Sequence, residues 1–217
     1  HIGSQLGDLA PLETAFGKIG TLLGQLREAG HTITRVDLGG GLGVPYHQGE
    51  QLPPPAEYGA MVARVTKDWG VSLIFEPGRV IAGNAGVLLT RVVRVKRGIN
   101  NPFVIVDAAM NDMLRPALYS AWMDIVPVQQ REGETLSYDV VGPVCETGDF
   151  LGKQRELNIQ RGDILAQMSA GAYGFVMSSN YNSRGRAAEI MVDGDRASIV
   201  RKRETIEDQL RGESVLP

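Results

Sequence analysis

The sequence predicts two kinds of structure in succession: the closing part of a (β/α)8 barrel, and then an all-β region that forms a barrel or a sandwich. Before about residue 85, amphipathic helical segments alternate with short apolar strands, the order typical of parallel sheets. After it, short β-branched segments separated by turn residues follow one another. A complete (β/α)8 barrel takes about 250 residues, so only its last part is expected here. We place the two domains at 1–84 and 85–217.

The first region is predicted to contain two helices and two strands. Residues 11–29 place apolar side chains at helical spacing, with a proline in the first turn and a glycine after the last. A short buried strand within 34–40 runs into a glycine cluster. Prolines open a second helix over 53–70, and a second buried strand follows within 71–78. The strand–helix–strand order predicts a parallel pair.

The second region is predicted to be mainly β. Its strand segments are VLLTRVVRVKR, PFVIVDAA, DIVPVQ, LSYDVVGPV and DILAQM. Residues 188–201, AEIMVDGDRASIVR, are typical of a hairpin with Asp-Gly at its tip. The tail at 204–212 is predicted to form a short helix.

Composition limits the classes of partner. The formal net charge of the 217 residues is −3, so acids and bases nearly balance and neither a nucleic-acid partner nor an anionic membrane is expected. No apolar run approaches the roughly 20 residues that span a bilayer. The single cysteine cannot form an internal disulfide, which favours a reducing, cytoplasmic location. Because the chain opens without Met inside an apparently functional loop, we expect an N-terminal part to be absent.

Two strand ends carry candidate binding residues. The run GGGLG at 39–43 follows the first strand, and glycines there leave backbone N–H groups open to a phosphate. Taken alone, a tight turn is an equally good interpretation. The segment EPGR at 76–79 ends the next strand, where residues of parallel α/β folds face the site. Glycines, a Glu and an Arg on neighbouring strand ends would suit a charged, phosphorylated cofactor.

Three further segments hold candidate reactive or binding side chains. Cys145 and Glu146 lie in the glycine-bracketed loop GPVCETGDF. Arg115 and Tyr119 are four residues apart and would share a face if helical, although Pro116 makes a continuous helix uncertain. Tyr173 lies among small residues in a turn. Each has an ordinary alternative: an inert cysteine, a surface arginine or packing aromatic rings.

Taken together, these segments resemble the family of pyridoxal-phosphate decarboxylases that act on diaminopimelate, ornithine and arginine, with alanine racemase as a more distant member. The matching stretches occur in the family's order up to about residue 190: HIGSQ, DLGGGLGVPY, EPGR, DAAMNDMLRPALYSAW, GPVCETGDFLG and GAYGFVMSSNYNSR. The motifs are most similar to members that convert meso-2,6-diaminopimelate to L-lysine and CO2. The family fold is an N-terminal (β/α)8 barrel followed by a C-terminal β domain.

The resemblance implies contacts to pyridoxal 5'-phosphate. Ser4, Gly40 and Gly41 would bind its phosphate, and His1 would stack on its ring. Glu76 would hydrogen-bond the pyridine nitrogen and keep it protonated, which allows the ring to accept electrons. The full implied cofactor set is His1, Ser4, Gly40, Gly41, Glu76, Pro77, Gly78, Arg79 and Tyr173. No metal site is expected.

The resemblance also implies a substrate site. Diaminopimelate carries a carboxylate and an ammonium at its far end, so its site needs both a cation and an anion. Arg115 and Glu146 would supply them, whereas ornithine has only an amine there. The implied substrate set is Arg79, Arg115, Tyr119, Glu146 and Tyr173. Cys145 would act as the acid that returns a proton to the substrate after CO2 leaves.

One departure from the family concerns the lysine that carries the cofactor. In the family it lies on an early barrel strand, and none of the five lysines here follows a motif strand. The chain is therefore expected to be the C-terminal half of the enzyme and inactive alone. The family also implies a homodimer in which the Cys145 loop completes the partner's site. Two alternatives stay open: a related decarboxylase of ornithine, arginine or carboxynorspermidine, and a non-catalytic paralogue that binds a partner enzyme.

Overall fold

The computed structural model describes residues 1–98 and 102–216. The chain divides into two compact units, His1–Ala85 and Gly86–Pro217. The first unit is α/β and the second is mainly β, which confirms the order of fold classes predicted from the sequence. Among the described residues, no helix has both the length and the apolar character that crossing a membrane requires.

The first unit contains a two-stranded parallel sheet and its connecting helices. Val36 of the first strand lies opposite Leu73 of the second. A single turn of 3-10 helix, Gly83–Ala85, ends the unit. The elements are α1 (Ala10–Glu28), β1 (Arg35–Asp37), α2 (Pro55–Val65), β2 (Ser72–Ile74) and α3 (Arg79–Ala82).

Helices α1 and α2 bury one apolar face each. Phe16 is 2% exposed, and it clusters with four other buried side chains: Leu12, Leu38, Met61 and Val62. The indole ring of Trp69 lies 3.0 Å from where a Cβ on Gly20 would stand, so this glycine allows the close approach. Helix α2 ends at Val65 and strand β2 ends at Ile74, so both are shorter than predicted, although hydrogen bonding to the neighbouring segment extends as far as Glu76.

The second unit is built on a six-stranded sheet with the order β5-β8-β3-β4-β6-β7. Strands β4 and β6 are parallel and the other neighbours are antiparallel. The end strands β5 and β7 also contact each other, so the sheet is a nearly closed barrel. Its strands are β3 (Leu88–Lys96), β4 (Phe103–Val106), β5 (Ile125–Pro127), β6 (Leu136–Val141), β7 (Phe150–Leu157) and β8 (Ile164–Gln167).

The barrel interior is filled by branched side chains from successive strands. Val104 and Val106 of β4 alternate with less buried neighbours, as expected for a strand with one face inward. Val140 and Leu165 are fully buried from β6 and β8. This alternation is why the short β-branched segments form a closed sheet.

A hairpin and two short α-helices also belong to the second unit, together with the 3-10 helices Phe175–Met177 and Tyr181–Ser183. The predicted hairpin is confirmed as β9 (Glu189–Asp193) and β10 (Arg196–Arg201), with Gly194 at its tip in a left-handed conformation. Helix α4 (Arg115–Tyr119) starts one residue before Pro116, so the proline falls in the first turn, where its missing N–H costs nothing. Helix α5 (Ile206–Leu210) begins at a capping box.

Candidate active-site clusters

The ends of β1 and β2 bring two of the sequence motifs side by side. Beyond the strands, the Leu38 N–H donates to the Ile74 carbonyl at 2.9 Å, and the Glu76 N–H donates to the Gly39 carbonyl at 2.8 Å. The parallel pairing therefore continues into the glycine run and EPGR. Both motifs line one pocket of the first unit.

The glycine run has a backbone that other residues would not adopt without strain. Gly39 and Gly41 have φ values of 68° and 101°. A Cβ on Gly40 would lie 2.3 Å from the Glu76 carbonyl oxygen. Within the described residues, neither the Gly40 nor the Gly41 N–H group donates to a backbone carbonyl. A narrow cradle with two available backbone donors fits a phosphate group.

The N-terminal loop lies against the same run. The Leu6 N–H donates to the Gly41 carbonyl at 3.0 Å, and the Gly43 N–H donates back to Leu6 at 3.2 Å. The Gln5 side-chain amide bonds both backbone groups of Val44, at 2.6 and 3.1 Å. These bonds hold the loop that carries Ser4 against the glycine run. His1 and Ser4 are both exposed, and neither lines the pocket.

Two charged side chains flank the glycine run. A Cβ on Gly39 would lie 4.0 Å from Glu76 Oε2, so the exposed Glu76 carboxylate stands beside the run. Arg79 donates to Ser4 Oγ at 3.4 Å and to the hydroxyl of the buried Tyr46. The Arg79 guanidinium also lies 5.7 Å from the Tyr46 ring centroid. Tyr46 therefore orients Arg79.

Tyr58 is a pocket residue that the sequence motifs did not indicate. It projects from α2, and its ring makes edge contacts with Phe16 and Phe75 at centroid distances of 6.4 and 6.3 Å. Burial raises the pKa of Tyr58 above its ordinary value, so its hydroxyl is neutral near pH 7. Together with Pro77 and Gly78, it forms the wall of the pocket.

In the second unit, Cys145 and Glu146 project from a compact loop between β6 and β7. The Gly142 N–H donates to the Asp149 carbonyl at 3.1 Å, and the Asp149 N–H donates to the Glu146 carbonyl at 3.1 Å. Cys145 and Glu146 are both exposed. The loop therefore presents a thiol and a carboxylate to the surroundings instead of burying the cysteine.

The buried carboxylate of Asp149 anchors this loop. It accepts the Val144 N–H at 2.8 Å and the Met110 N–H at 2.7 Å, which ties the Cys145 loop to the segment after β4. A Cβ on Gly142 would lie 2.4 Å from Asp149 Oδ2. Since an unsatisfied buried N–H costs about 1–3 kcal/mol, removal of this carboxylate would release both segments.

Both oxygens of Glu146 are held. The Gly148 N–H donates to Oε1 at 3.1 Å, and the Tyr181 hydroxyl donates to Oε2 at 3.2 Å. The pKa of Tyr181 is raised mainly by its hydrogen bond to Glu146. The negative charge of Glu146, burial and the nearby Cys145 thiol raise it further, in that order. The phenol therefore stays protonated and able to donate. Tyr181 lies in the motif GAYGFVMSSNYNSR, but nothing in the sequence identified its partner.

Arg115 and Tyr173 form a second pair in this unit. Arg115 begins α4 and is only 9% exposed, and its guanidinium lies 5.7 Å from the Tyr173 ring centroid. Tyr173 has a left-handed φ of 68°. Tyr119, at the other end of α4, is 61% exposed. Arg115 and Tyr119 thus share the predicted helix but differ in burial.

Arg184 joins the segments that carry these residues. Its guanidinium donates to Asn111 Oδ1 at 2.8 Å and to the Asp107 carbonyl at 2.6 Å, and it lies 3.6 Å from Asp112. Burial raises the pKa of Asp112, and the charge of Arg184 opposes this rise. The chain leading into α4 is thereby fixed to the chain that follows Tyr181.

All five lysines are exposed, and none of them lines the pocket of the first unit. In the part of the chain that the structure describes, no three His, Cys, Asp or Glu side chains are grouped so as to hold a metal ion.

Comparison with known proteins identifies the family. A family model described as pyridoxal-dependent decarboxylase, C-terminal sheet domain, matches residues 19–171. A diaminopimelate decarboxylase of Vibrio cholerae is 54% identical over 219 residues, covering 100% of this chain and 52% of that protein. One of Pseudomonas fluorescens is also 54% identical, over 217 residues, again with 52% of its length covered.

Solved structures agree with the family model. A diaminopimelate decarboxylase from M. jannaschii is 37% identical with a TM-score of 0.95, covering 100% of this chain and 51% of that one. The Helicobacter pylori enzyme complexed with L-lysine is 40% identical with a TM-score of 0.90, covering 97% and 52%. The chain thus spans about half the length of the relatives it matches. It belongs to the pyridoxal-dependent decarboxylase family and contains the C-terminal sheet domain of that family.

Proposed function

We propose that this chain is the C-terminal half of an enzyme that decarboxylates meso-2,6-diaminopimelate to L-lysine and CO2, the last step of lysine biosynthesis. The observation that carries the proposal is that two hydrogen bonds fix the Glu146 carboxylate in the same unit as the buried Arg115. A substrate whose far end bears both an ammonium and a carboxylate needs an anion and a cation. The sequence identity to diaminopimelate decarboxylases across the whole chain supports the same substrate.

The first unit would hold pyridoxal 5'-phosphate. The N–H groups of Gly40 and Gly41 and the Ser4 hydroxyl would bind its phosphate, and Glu76 would keep its pyridine nitrogen protonated. When bound, this cofactor supplies an electron sink for the electrons released with CO2. The remaining cofactor contacts in the proposal are made by His1, Pro77, Gly78, Arg79 and Tyr173.

The second unit would bind the substrate and move a proton. Arg115 forms a bidentate pair with the distal carboxylate, because its planar fork matches two carboxylate oxygens. Glu146 accepts hydrogen bonds from the distal ammonium. Cys145 Sγ delivers a proton to the substrate carbon from which CO2 has left. Arg79, Tyr119 and Tyr173 complete the substrate contacts.

Specificity for diaminopimelate can be tested with Arg115→Ala and Glu146→Ala in the complete decarboxylase. A hydrogen bond to a charged group contributes about 1.5–3 kcal/mol, so kcat/KM is expected to fall at least about tenfold in each variant. Arg211→Ala removes a positive charge and Glu134→Ala removes a negative charge, each from an exposed position. These variants are the matched controls for Arg115→Ala and Glu146→Ala. Parental kcat/KM in both site variants would contradict the assigned binding roles.

The enzyme is further proposed to be a cytoplasmic homodimer with a complete (β/α)8 barrel in each protomer and no nucleic-acid or membrane partner. In this arrangement the Cys145 loop serves the partner's barrel, and two-fold symmetry creates two equivalent composite sites. This proposal is supported by the loop itself, which is bracketed by glycines and leaves Cys145 exposed.

The shared site can be tested by complementation. One inactive parent carries Cys145→Ala, and the other lacks the lysine that carries the cofactor. After random reassembly, half of the dimers are hybrids, and each hybrid has one site without a defect. About a quarter of parental activity is therefore expected. No recovery, in a mixture that mass spectrometry shows to contain hybrids, would defeat the shared-site proposal.

A further inference from the structure

The hydrogen bonds of Glu146 leave a defined part of its carboxylate available. An ionised carboxylate offers about four lone-pair positions. One position of Oε1 is taken by the Gly148 N–H and one of Oε2 by the Tyr181 hydroxyl. One lone pair on each oxygen remains for a ligand. A primary ammonium has three donors and can use both.

The two donors to Glu146 differ in what fixes them. Gly148 belongs to the same loop as Glu146, so its hydrogen bond does not fix the position of the loop relative to the rest of the unit. Tyr181 belongs to a separate segment, distant in sequence from Glu146. The hydrogen bond from its hydroxyl therefore fixes Glu146 relative to a distant segment of the unit.

The segment that carries Tyr181 is itself firmly attached. Arg184 bonds Asn111 and the Asp107 carbonyl, and the Ser179 N–H donates to the Asn111 carbonyl at 3.0 Å. The Asn180 side chain donates to the Arg184 carbonyl at 3.0 Å, closing the turn. Tyr181 is 44% exposed, so these bonds, and not burial, determine where its hydroxyl lies.

We propose that Tyr181 is a positioning residue that sets how tightly Glu146 binds the distal ammonium group of the substrate. This inference rests on the proposed function, because it takes Glu146 to be the ammonium ligand. Tyr181 fixes the orientation of the carboxylate so that its two remaining lone pairs point at one ligand. It also withdraws part of the negative charge, which keeps Glu146 selective for a donor that makes two bonds.

Steady-state kinetics of the complete decarboxylase test the inference. Tyr181→Phe removes only the hydroxyl, and KM for diaminopimelate is expected to rise about tenfold with kcat within about twofold. Tyr138→Phe, which removes a hydroxyl from a buried tyrosine of β6, is the matched control and should change neither constant.

A double-mutant cycle separates positioning from a merely structural role. If Tyr181 acts through Glu146, Tyr181→Phe should change kcat/KM less than about twofold in a Glu146→Ala background. An equal loss in both backgrounds would overturn the inference. A fully active Tyr181→Phe enzyme would overturn it too, while leaving the proposed function intact. A parent enzyme without activity on diaminopimelate would instead overturn the proposed function.

Nuclear magnetic resonance with ring-labelled tyrosine gives a readout that needs no turnover. The Tyr181 signal is assigned by its loss in Tyr181→Phe, and its ionisation is followed against pH in the holoenzyme. Glu146 raises the pKa of Tyr181, so Glu146→Gln should make Tyr181 ionise at lower pH. An unchanged titration in Glu146→Gln would show that the two side chains are not paired and would overturn the inference.

Discussion

The Cys145→Ala variant of the complete decarboxylase is expected to lose about 10²–10⁴-fold in kcat, the range typical of removing a positioned proton donor. Alanine keeps the size of the side chain close to that of cysteine and removes only the thiol. Because Cys145 is exposed and Asp149 anchors its loop, the substitution should not alter the fold. The result is measured as kcat with diaminopimelate at saturating substrate.

Two controls test whether Cys145→Ala changes the stability of the enzyme or its cofactor binding. The melting temperature of Cys145→Ala should equal that of the parent within about a degree, since an exposed substitution usually changes stability by less than about 0.5 kcal/mol. The cofactor absorbance spectrum should also be unchanged. A Cys145→Ala enzyme that turns over at the parental rate would show that another group supplies the proton.

The Gly40→Ala variant is expected to bind pyridoxal phosphate about 10–100-fold more weakly. The new Cβ would lie 2.3 Å from the Glu76 carbonyl oxygen, a distance that forces the glycine run and EPGR apart. Overpacking of this kind costs about 1–3 kcal/mol, and about 1.4 kcal/mol corresponds to a tenfold change in affinity. Cofactor affinity is measured by absorbance titration.

Gly24→Ala is the matched control for Gly40→Ala. Gly24 lies within α1, and beyond its own helix backbone its added Cβ would meet no atom within 4 Å. Alanine in a helix interior is more stable than glycine by roughly 0.5–1 kcal/mol, so this variant should melt slightly higher and bind cofactor normally. Parental cofactor affinity in Gly40→Ala would contradict the phosphate role of the glycine run.

Much of the fold was predictable because hydrophobic periodicity is a local property. The α1 helix, the individual segments that form β1 and β2, and the Asp-Gly hairpin each follow from residues close together in the sequence. Element ends were less predictable. Strand β2 ends at Ile74 and is shorter than the apolar run that indicated it, although the Glu76 N–H still bonds the Gly39 carbonyl of the neighbouring segment.

Of the candidate site, only the residues that lie within recognisable sequence motifs were predictable. Glu146 and Arg115 stand in family motifs, whereas their supporting partners depend on tertiary contacts. Asp149 is a buried acceptor of two backbone N–H groups, yet in the sequence it resembles any loop aspartate. Tyr181 lies far along the chain from the carboxylate that it bonds. Such pairings carry no local signal, so only the folded structure reveals them.

The parallel pairing of β1 and β2 has a consequence for the order in which the molecule assembles. Arg35 pairs with Ser72 across a crossover that includes the whole of α2. Closing a long loop costs entropy before the pairing compensates for it, and contacts of this kind form slowly. A hairpin such as β9–β10, by contrast, forms in about 1–10 μs. The glycine run that is proposed to bind the cofactor phosphate should therefore become ordered later than this hairpin, so a refolding decarboxylase would form the hairpin before it regained affinity for the cofactor.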